Sequence, residues 1–326
     1  MATETKQRTL KTRRPATAKP SGSSRQALKP ILAPSLKRLP WLFHGFSTRN
    51  GGASSCYGGH SLNLGFTQHD KRANVEQNRQ RLLAELATNQ DKGRKAGKSG
   101  AKPYQMVTLR QIHSDLIHVI TKPAAKPLAG DGMITNVPGI ALGVQTADCF
   151  PVLLVDTKSK AVGAFHAGWR GTVARIAVKG LGLMRHEFDT LPQDVIAAIG
   201  PGIQECCYEV GEELKANFES QFEYASELFR NSQESDVVRE RYPMLFMNQR
   251  APGHGDMCLK LFLDLREANR RQLIAAGVPE ENITALKDCT SCDPKRFFSY
   301  RAERGTTGRM LAVVGIRHVE ARKKSS

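Results

Sequence analysis

Ile140-Ala141-Leu142-Gly143-Val144-Gln145-Thr146-Ala147-Asp148-Cys149-Phe150-Pro151-Val152-Leu153-Leu154-Val155 reads as two short, strongly apolar strands, at 140–144 and 152–155, around a turn that carries Asp148 and Cys149. A third apolar run, at 161–165, leads into His166-Ala167-Gly168-Trp169-Arg170-Gly171. Apolar runs of this length, bounded by turn residues, mark buried strands. Cys149 and His166 therefore lie at strand ends, where loops present side chains to a shared crevice.

Outward from this unit, Trp41 to Phe46 forms an opening strand that runs into a glycine-rich turn ending in Gly51-Gly52. Ser61-Leu62-Asn63-Leu64-Gly65 is a further extended piece, and Val75, Leu82, Leu83 and Leu86 recur at helical spacing. Strands at 107–109 and 116–120 flank His113. Past His166 the period changes: Val173, Ile176, Ala177, Gly180, Leu181 and Met184 share one helix face, with Thr172 as its expected N-cap. A strand at 195–199, a helix at 263–276 stopped by Gly277, and strands at 284–286 and 310–314 complete the pattern. Strands outnumber clean strand–helix–strand units, which favours an α+β fold, a single domain of mixed sheets, over a doubly wound one.

The chain has 326 residues and a formal net charge of +17. Ten Lys or Arg against one Glu fall in residues 1–38, five against Asp91 fall in 89–103, and Arg322, Lys323 and Lys324 add three. What remains is near neutral, so basicity belongs to the tails and one loop. The organisation expected is a disordered basic arm at 1–38, a catalytic domain at 39–318 with a mobile Lys/Gly/Ser loop at 89–103, and a basic tail at 319–326. Contact with nucleic acid would rest on the arm alone. No apolar run approaches the roughly 20 residues of a membrane helix, and no secretory signal opens the chain. Seven scattered cysteines do not form a disulfide framework and suit a reducing, cytoplasmic setting. Oligomeric state is not legible.

His113, in Gln111-Ile112-His113, can join Cys149 and His166. One thiolate and two imidazoles suit a Zn2+ ion that keeps its fourth position open, the catalytic arrangement. A Cys149–His166 nucleophile–base pair is the rival reading. Asp148 fits beside either as a proton carrier or hydrogen-bond acceptor. The helix start after Gly168, with Arg170, offers an anion site, and Arg49, Arg301 and Arg309 are further anion contacts. Gly305-Thr306-Thr307-Gly308 lacks the ending of a Walker loop. Cys289-x-x-Cys292 lacks a second pair of its kind and a thioredoxin-like context, which argues against metal or redox use, and Cys206-Cys207 reads as packing.

Taken in order, Ser47-Thr48-Arg49-x-Gly51-Gly52, Ser61 to Gly65, Gln111-Ile112-His113, Thr146 to Cys149, His166 to Thr172, Ile199-Gly200-Pro201, Cys207 to Gly211, Leu263-Asp264-Leu265, Cys289-Thr290 and Phe297 to Arg301 resemble the laccase-domain family, also called multicopper polyphenol oxidase or YfiH-type purine nucleoside phosphorylase. The resemblance spans Trp41 to Ile316. It implies a cytoplasmic zinc enzyme with ligands His113, Cys149 and His166. The implied reactions are phosphorolysis of adenosine, inosine, guanosine and methylthioadenosine, and deamination of adenosine. The implied fold is two mixed β-sheets packed together and flanked by helices. Asp148 would move protons, in deamination toward a metal-activated water at the purine C6. Arg49, Asn63 and Arg170 would contact the nucleoside and phosphate.

Two other activities attach to the family. A cell-wall-precursor editing amidase would use the same zinc or the same Cys149–His166 pair. A copper polyphenol oxidase would need many histidines, usually as His-x-His pairs; the chain has nine histidines and no such pair. Copper entering the zinc site is compatible with its N/S donors, since copper binds such sites more tightly.

Overall fold

In the computed structural model, which describes residues 28–89, 103–124, 126–232 and 260–318, the three apolar runs become β6 (Ile140–Thr146), β7 (Phe150–Asp156) and β8 (Val162–Ala167). β6 lies in a four-stranded sheet ordered β1-β14-β6-β3, where β1 is Leu42–Phe46, β3 Gln105–Thr108 and β14 Met310–Ile316. β7 and β8 lie in a six-stranded sheet ordered β13-β9-β7-β8-β5-β4. There β4 is Ile117–Val119, β5 Gly132–Thr135, β9 Val195–Ile199 and β13 Ile283–Ala285. Each sheet contains parallel and antiparallel pairs. The turn at 147–149 therefore carries the chain from one sheet to the other.

Side chains alternate across each strand, and both faces of both sheets are apolar. Leu153, Val155, Val162 and Ala164 of the larger sheet meet Leu142, Val144, Ala312 and Val314 of the smaller in one buried layer. On the far face of the larger sheet, Val152, Leu154 and Phe165 pack against α3 (Ile176–Phe188) and α5 (Leu265–Ala275). On the far face of the smaller, Phe43, Leu311 and Val313 pack against Leu82 and Leu86 of α1 (Arg72–Asn89). The order is helix, sheet, sheet, helix, as two-sided strands demand. Gly180 shows how close the helix lies: a Cβ there would sit 2.1 Å from the Phe165 ring.

Several local expectations change. The helix after His166 is broken into α2 (Trp169–Val173) and α3, because Arg175 adopts a left-handed conformation at φ 58°. Thr172 is not an N-cap; it is buried inside α2, where its hydroxyl accepts from Asn269 Nδ2 at 3.0 Å. The helix expected from 263 starts at Leu265, since the Asp264 carboxylate caps it by accepting from Glu267 N at 2.9 Å. Leu263 ends β12 (Lys260–Leu263), which joins β10 (Glu209–Val210) and β11 (Phe229–Ser232) in a small third sheet that was not foreseen. β2 (Asn50–Ser54) and α4 (Glu212–Glu219) complete the named elements. The expected arm at 1–38 lies mostly outside the described residues, as do the 89–103 loop and the 319–326 tail. Among the described residues, no helix is long and apolar enough to cross a membrane.

Candidate active site and metal centre

The β7–β8 register explains why Cys149 and His166 meet. Phe150 pairs with Ala167 and Pro151 with His166, so one step further sets Cys149 opposite Gly168. A Cβ on Gly168 would lie 3.0 Å from Cys149 Sγ and 3.3 Å from His113 Cδ2, so glycine spares the cluster a crowded contact where the chain passes this close. His113 arrives from the other sheet, on the loop that follows β3. Gln111 anchors that loop, with its Oε1 accepting from Gln145 N at 2.6 Å and its Nε2 donating to Gln145 O at 2.8 Å. The His113 and His166 rings meet edge to face at 4.9 Å. One donor atom each from His113, Cys149 and His166 lies within 4.8 Å of the others.

Asp131, just before β5, holds this geometry and was missed by sequence reading. Its buried carboxylate accepts from the backbone N–H of Ile112, His113 and Ser114, at 3.2, 3.1 and 2.7 Å. It also accepts from the Ser114 hydroxyl at 2.8 Å and lies 2.9 Å from His166 Nδ1. An ionised carboxylate only accepts, so Nδ1 carries the proton and Nε2 is left to face Cys149. Burial opposes the Asp131 charge, but His166 and Ser114 overcome it and hold the group well below the usual carboxylate range. The only signal in the sequence was an acid between glycines, Gly130-Asp131-Gly132, ahead of a strand.

Burial alone would push the Cys149 thiol up; His166 and His113 instead pull it down to about 6. His166 moves the other way: burial lowers it, and Cys149 with Asp131 raises it to about 9. Thiolate character is what both a metal ligand and a nucleophile require.

Two residues here have left-handed backbones, His113 at φ 58° and Asp148 at φ 89°. Each costs about 1–2 kcal/mol for a residue with a Cβ. Hydrogen bonds offset that cost at Asp148, whose Oδ1 accepts from the Thr290 hydroxyl and Oδ2 from Arg301 N, both at 2.7 Å. Above the cluster opens a cavity of about 700 Å³, lined by the three donors, Asp148, the rings of Trp169, Tyr208 and Tyr300, and Arg110, Arg301 and Arg309.

Arg49, Asn63 and Arg170 do not line this cavity. The Arg49 guanidinium is engaged by Glu303 at 3.0 Å, by the carbonyls of Tyr57, Pro294 and Phe297, and by the Phe298 ring at 4.7 Å. Asn63 is buried and braces the backbone, accepting from Arg309 N at 2.9 Å and donating to Asp70 at 2.7 Å. Arg170 is exposed and lies over the Trp169 ring at 4.4 Å, on a helix of five residues. Of the arginines weighed from the sequence, Arg301 and Arg309 reach the cavity.

Residues 43–317 match the family described as multi-copper polyphenol oxidoreductase laccase. The purine nucleoside phosphorylase YlmD of Geobacillus stearothermophilus is 35% identical over 285 residues, covering 84% of this chain and 89% of the relative. A crystal structure of YlmD from that species superposes with a TM-score of 0.67 at 33% identity, covering 88% of this chain and 94% of that one. Adenosine deaminase RL5, from an unknown prokaryotic organism, is 36% identical over 60% of this chain and 69% of its own length. The chain belongs to this laccase-domain family and has its fold.

Proposed function

We propose that this member of the laccase-domain family is a cytoplasmic, zinc-dependent purine nucleoside phosphorylase that also deaminates adenosine. Relatives named for those two activities support the reading. The observation that carries it is the convergence of His113, Cys149 and His166 at a cavity walled by aromatic rings and arginines. A volume near 700 Å³ suits a nucleoside with phosphate. The donor set also fits zinc: one low-lying thiol, one imidazole turned by Asp131, a second imidazole on a braced loop, and a side open to the cavity. When bound, the ion supplies Lewis-acid polarisation of the substrate.

The protein's own groups do the rest. Trp169, Tyr208 and Tyr300 offer faces for the purine, and Arg301 and Arg309 hold phosphate. A phosphate oxygen then attacks ribose C1′, the C1′–N9 bond breaks, and ribose-1-phosphate and the purine result. Asp148, fixed by Thr290 and Arg301 N, relays the proton that the departing base takes up. In deamination water adds at C6, ammonia leaves, and Asp148 moves the proton between them.

A multi-copper oxidase finds less support in the donor groups. Among the described residues, His44, His60, His69, His118, His186 and His318 join no further cluster of potential ligands. The test is product analysis by mass spectrometry of zinc-loaded protein given adenosine with and without phosphate. Adenine with ribose-1-phosphate only when phosphate is present, and inosine in both, is the expected result. No turnover with zinc bound would overturn the reading.

A further inference from the structure

Four of the cysteines converge from two segments that lie far apart along the chain. Cys206 and Cys207 lie on the segment after β9, and Cys289 and Cys292 lie on the segment after β13. The Sγ atoms of all four are within 4.8 Å of one another. Cys292 Sγ is 3.4 Å from Cys206 Sγ and 3.3 Å from Cys207 Sγ, and Cys206 is 3.8 Å from Cys207. A tetrahedral zinc with Zn–S of about 2.3 Å sets its sulfurs about 3.8 Å apart, which these separations approach. A disulfide joins sulfurs in twos at about 2.05 Å. Here one sulfur stands almost equally near two others, which suits a shared centre instead. A cluster of several irons would hold its cysteines farther apart.

Further features are those of a ligand cage. Cys289 Sγ accepts from the backbone N–H of Gln204 at 3.5 Å and from that of Cys292, so the Cys-x-x-Cys turn folds around its own sulfur. The two segments otherwise share little regular structure: one isolated bridge from Gly202 to Cys289, the Thr290 N to Gly202 O bond at 3.1 Å, and Gln204 Nε2 to Asp288 O at 3.3 Å. Cys206 and Cys292 are exposed, so apolar burial does not explain why four thiols gather there. Metal binding supplies folding energy where a core cannot.

We propose that Cys206, Cys207, Cys289 and Cys292 bind a second ion, a structural zinc distinct from the one at His113, Cys149 and His166. Four thiolates close the coordination shell, and this ion needs no substrate position. It clasps the segments that deliver Ile203 and Tyr208 to the cavity and Thr290 to Asp148. Cys206-Cys207 and Cys289-x-x-Cys292, read apart in the sequence as packing and as an orphan motif, become one site.

The test is elemental analysis of full-length protein purified with reductant and zinc, alongside C149A, C292S and the double variant C206S/C289S. The expected result is two zinc ions per wild-type chain and one per chain in each variant. X-ray absorption of C149A should show an all-sulfur shell at about 2.3 Å. Cobalt-loaded C149A should keep most of the thiolate-to-cobalt charge-transfer absorption, because most of the thiolates remain. These readouts need no catalytic activity, so they stand or fall apart from the nucleoside reading. A single zinc in wild type that disappears in C149A would overturn the second site. So would a nitrogen- or oxygen-containing shell in C149A, or peptide mapping that finds Cys206 or Cys207 disulfide-bonded to Cys292 in protein kept reduced. Should C292S fail to fold, the wild-type stoichiometry and the C149A spectrum still decide the matter.

Discussion

Two clusters of soft ligands sit on one chain, and they differ in almost every physical respect. The first combines one thiol with two imidazoles, is seated at strand ends, leans on the buried carboxylate of Asp131, and opens on a large cavity. The second is four thiols on irregular segments, braced by backbone N–H groups, with two of its members exposed. Mixed donors with a free side suit chemistry on a substrate, and four thiolates suit a clasp. The contrast also separates what each cluster asks of the fold. The first needs register and is eased by the missing Cβ at Gly168; the second needs two loops to end near each other.

The sharpest way to break the comparison is Cys149→Ala. Turnover of nucleoside should fall to background while one ion per chain and the folded state persist. A variant that keeps activity without that thiol would remove the metal reading of the first cluster. Next in size is Asp131→Asn, which leaves His166 without its charged acceptor and three loop N–H groups poorly matched. We expect the affinity of the first site for zinc to fall about 10- to 100-fold, measured by competition with a chromophoric chelator. The second site should not change. Equal weakening of both would mean that Asp131 acts through global stability alone.

Arg301→Gln probes the cavity wall. Losing a charge-assisted contact to phosphate is worth about 1.5–3 kcal/mol, so KM for phosphate should rise roughly tenfold or more. Deamination uses no phosphate and should be spared. Arg49→Gln should do the reverse, lowering thermal stability through loss of the Glu303 pair while KM for phosphate stays put. If Arg49→Gln raises that KM and Arg301→Gln does not, the assignment of the arginines is inverted.

The difference between these arginines also shows what the sequence could and could not reveal. Continuous apolar runs announced β6, β7 and β8, and the family motifs around Cys149, His166 and His113 carried the first cluster intact. Arginines and asparagines carry no such signature. Arg49 stands in a motif beside a glycine turn, yet its guanidinium is consumed by carbonyls that arrive from 294–297, far along the chain. Asp131 was invisible for the converse reason: its partners lie 17 to 35 residues away, at Ser114 and His166. Thr172 failed as a cap because the helix begins before it, at Trp169, and its buried hydroxyl instead accepts from Asn269, 97 residues on. The cysteine quartet was illegible because its two halves are separated by more than eighty residues and the β9–β13 parallel pairing that aligns them leaves no pattern in either half.

The smallest expected effect is an order of events rather than a loss, and it tests whether the two clusters are independent. A hydrophilic chelator, added slowly, should strip the first site before the second, because His113 is exposed, the cavity admits the reagent, and only one of the three donors there is a thiolate. Activity should then vanish with little change in thermal midpoint. A thiol-specific mercurial should act in the opposite order on protein whose Cys56 and Cys258 have both been replaced by Ser: Cys206 and Cys292 are exposed, whereas Cys149 is only partly so. The first equivalents should release zinc and lower the thermal midpoint by several degrees while much of the turnover remains. The turnover that persists falls chiefly through KM, because the loosened segment carries Tyr208, which lines the cavity, and leaves His113, Cys149 and His166 at the ends of the strands that position them. Simultaneous release of both ions by either reagent would mean that the clasp and the centre form one cooperative unit. In that case the distinction between an open and a closed site, drawn from donor type, would have to give way to one drawn from the shared Thr290–Asp148 contact.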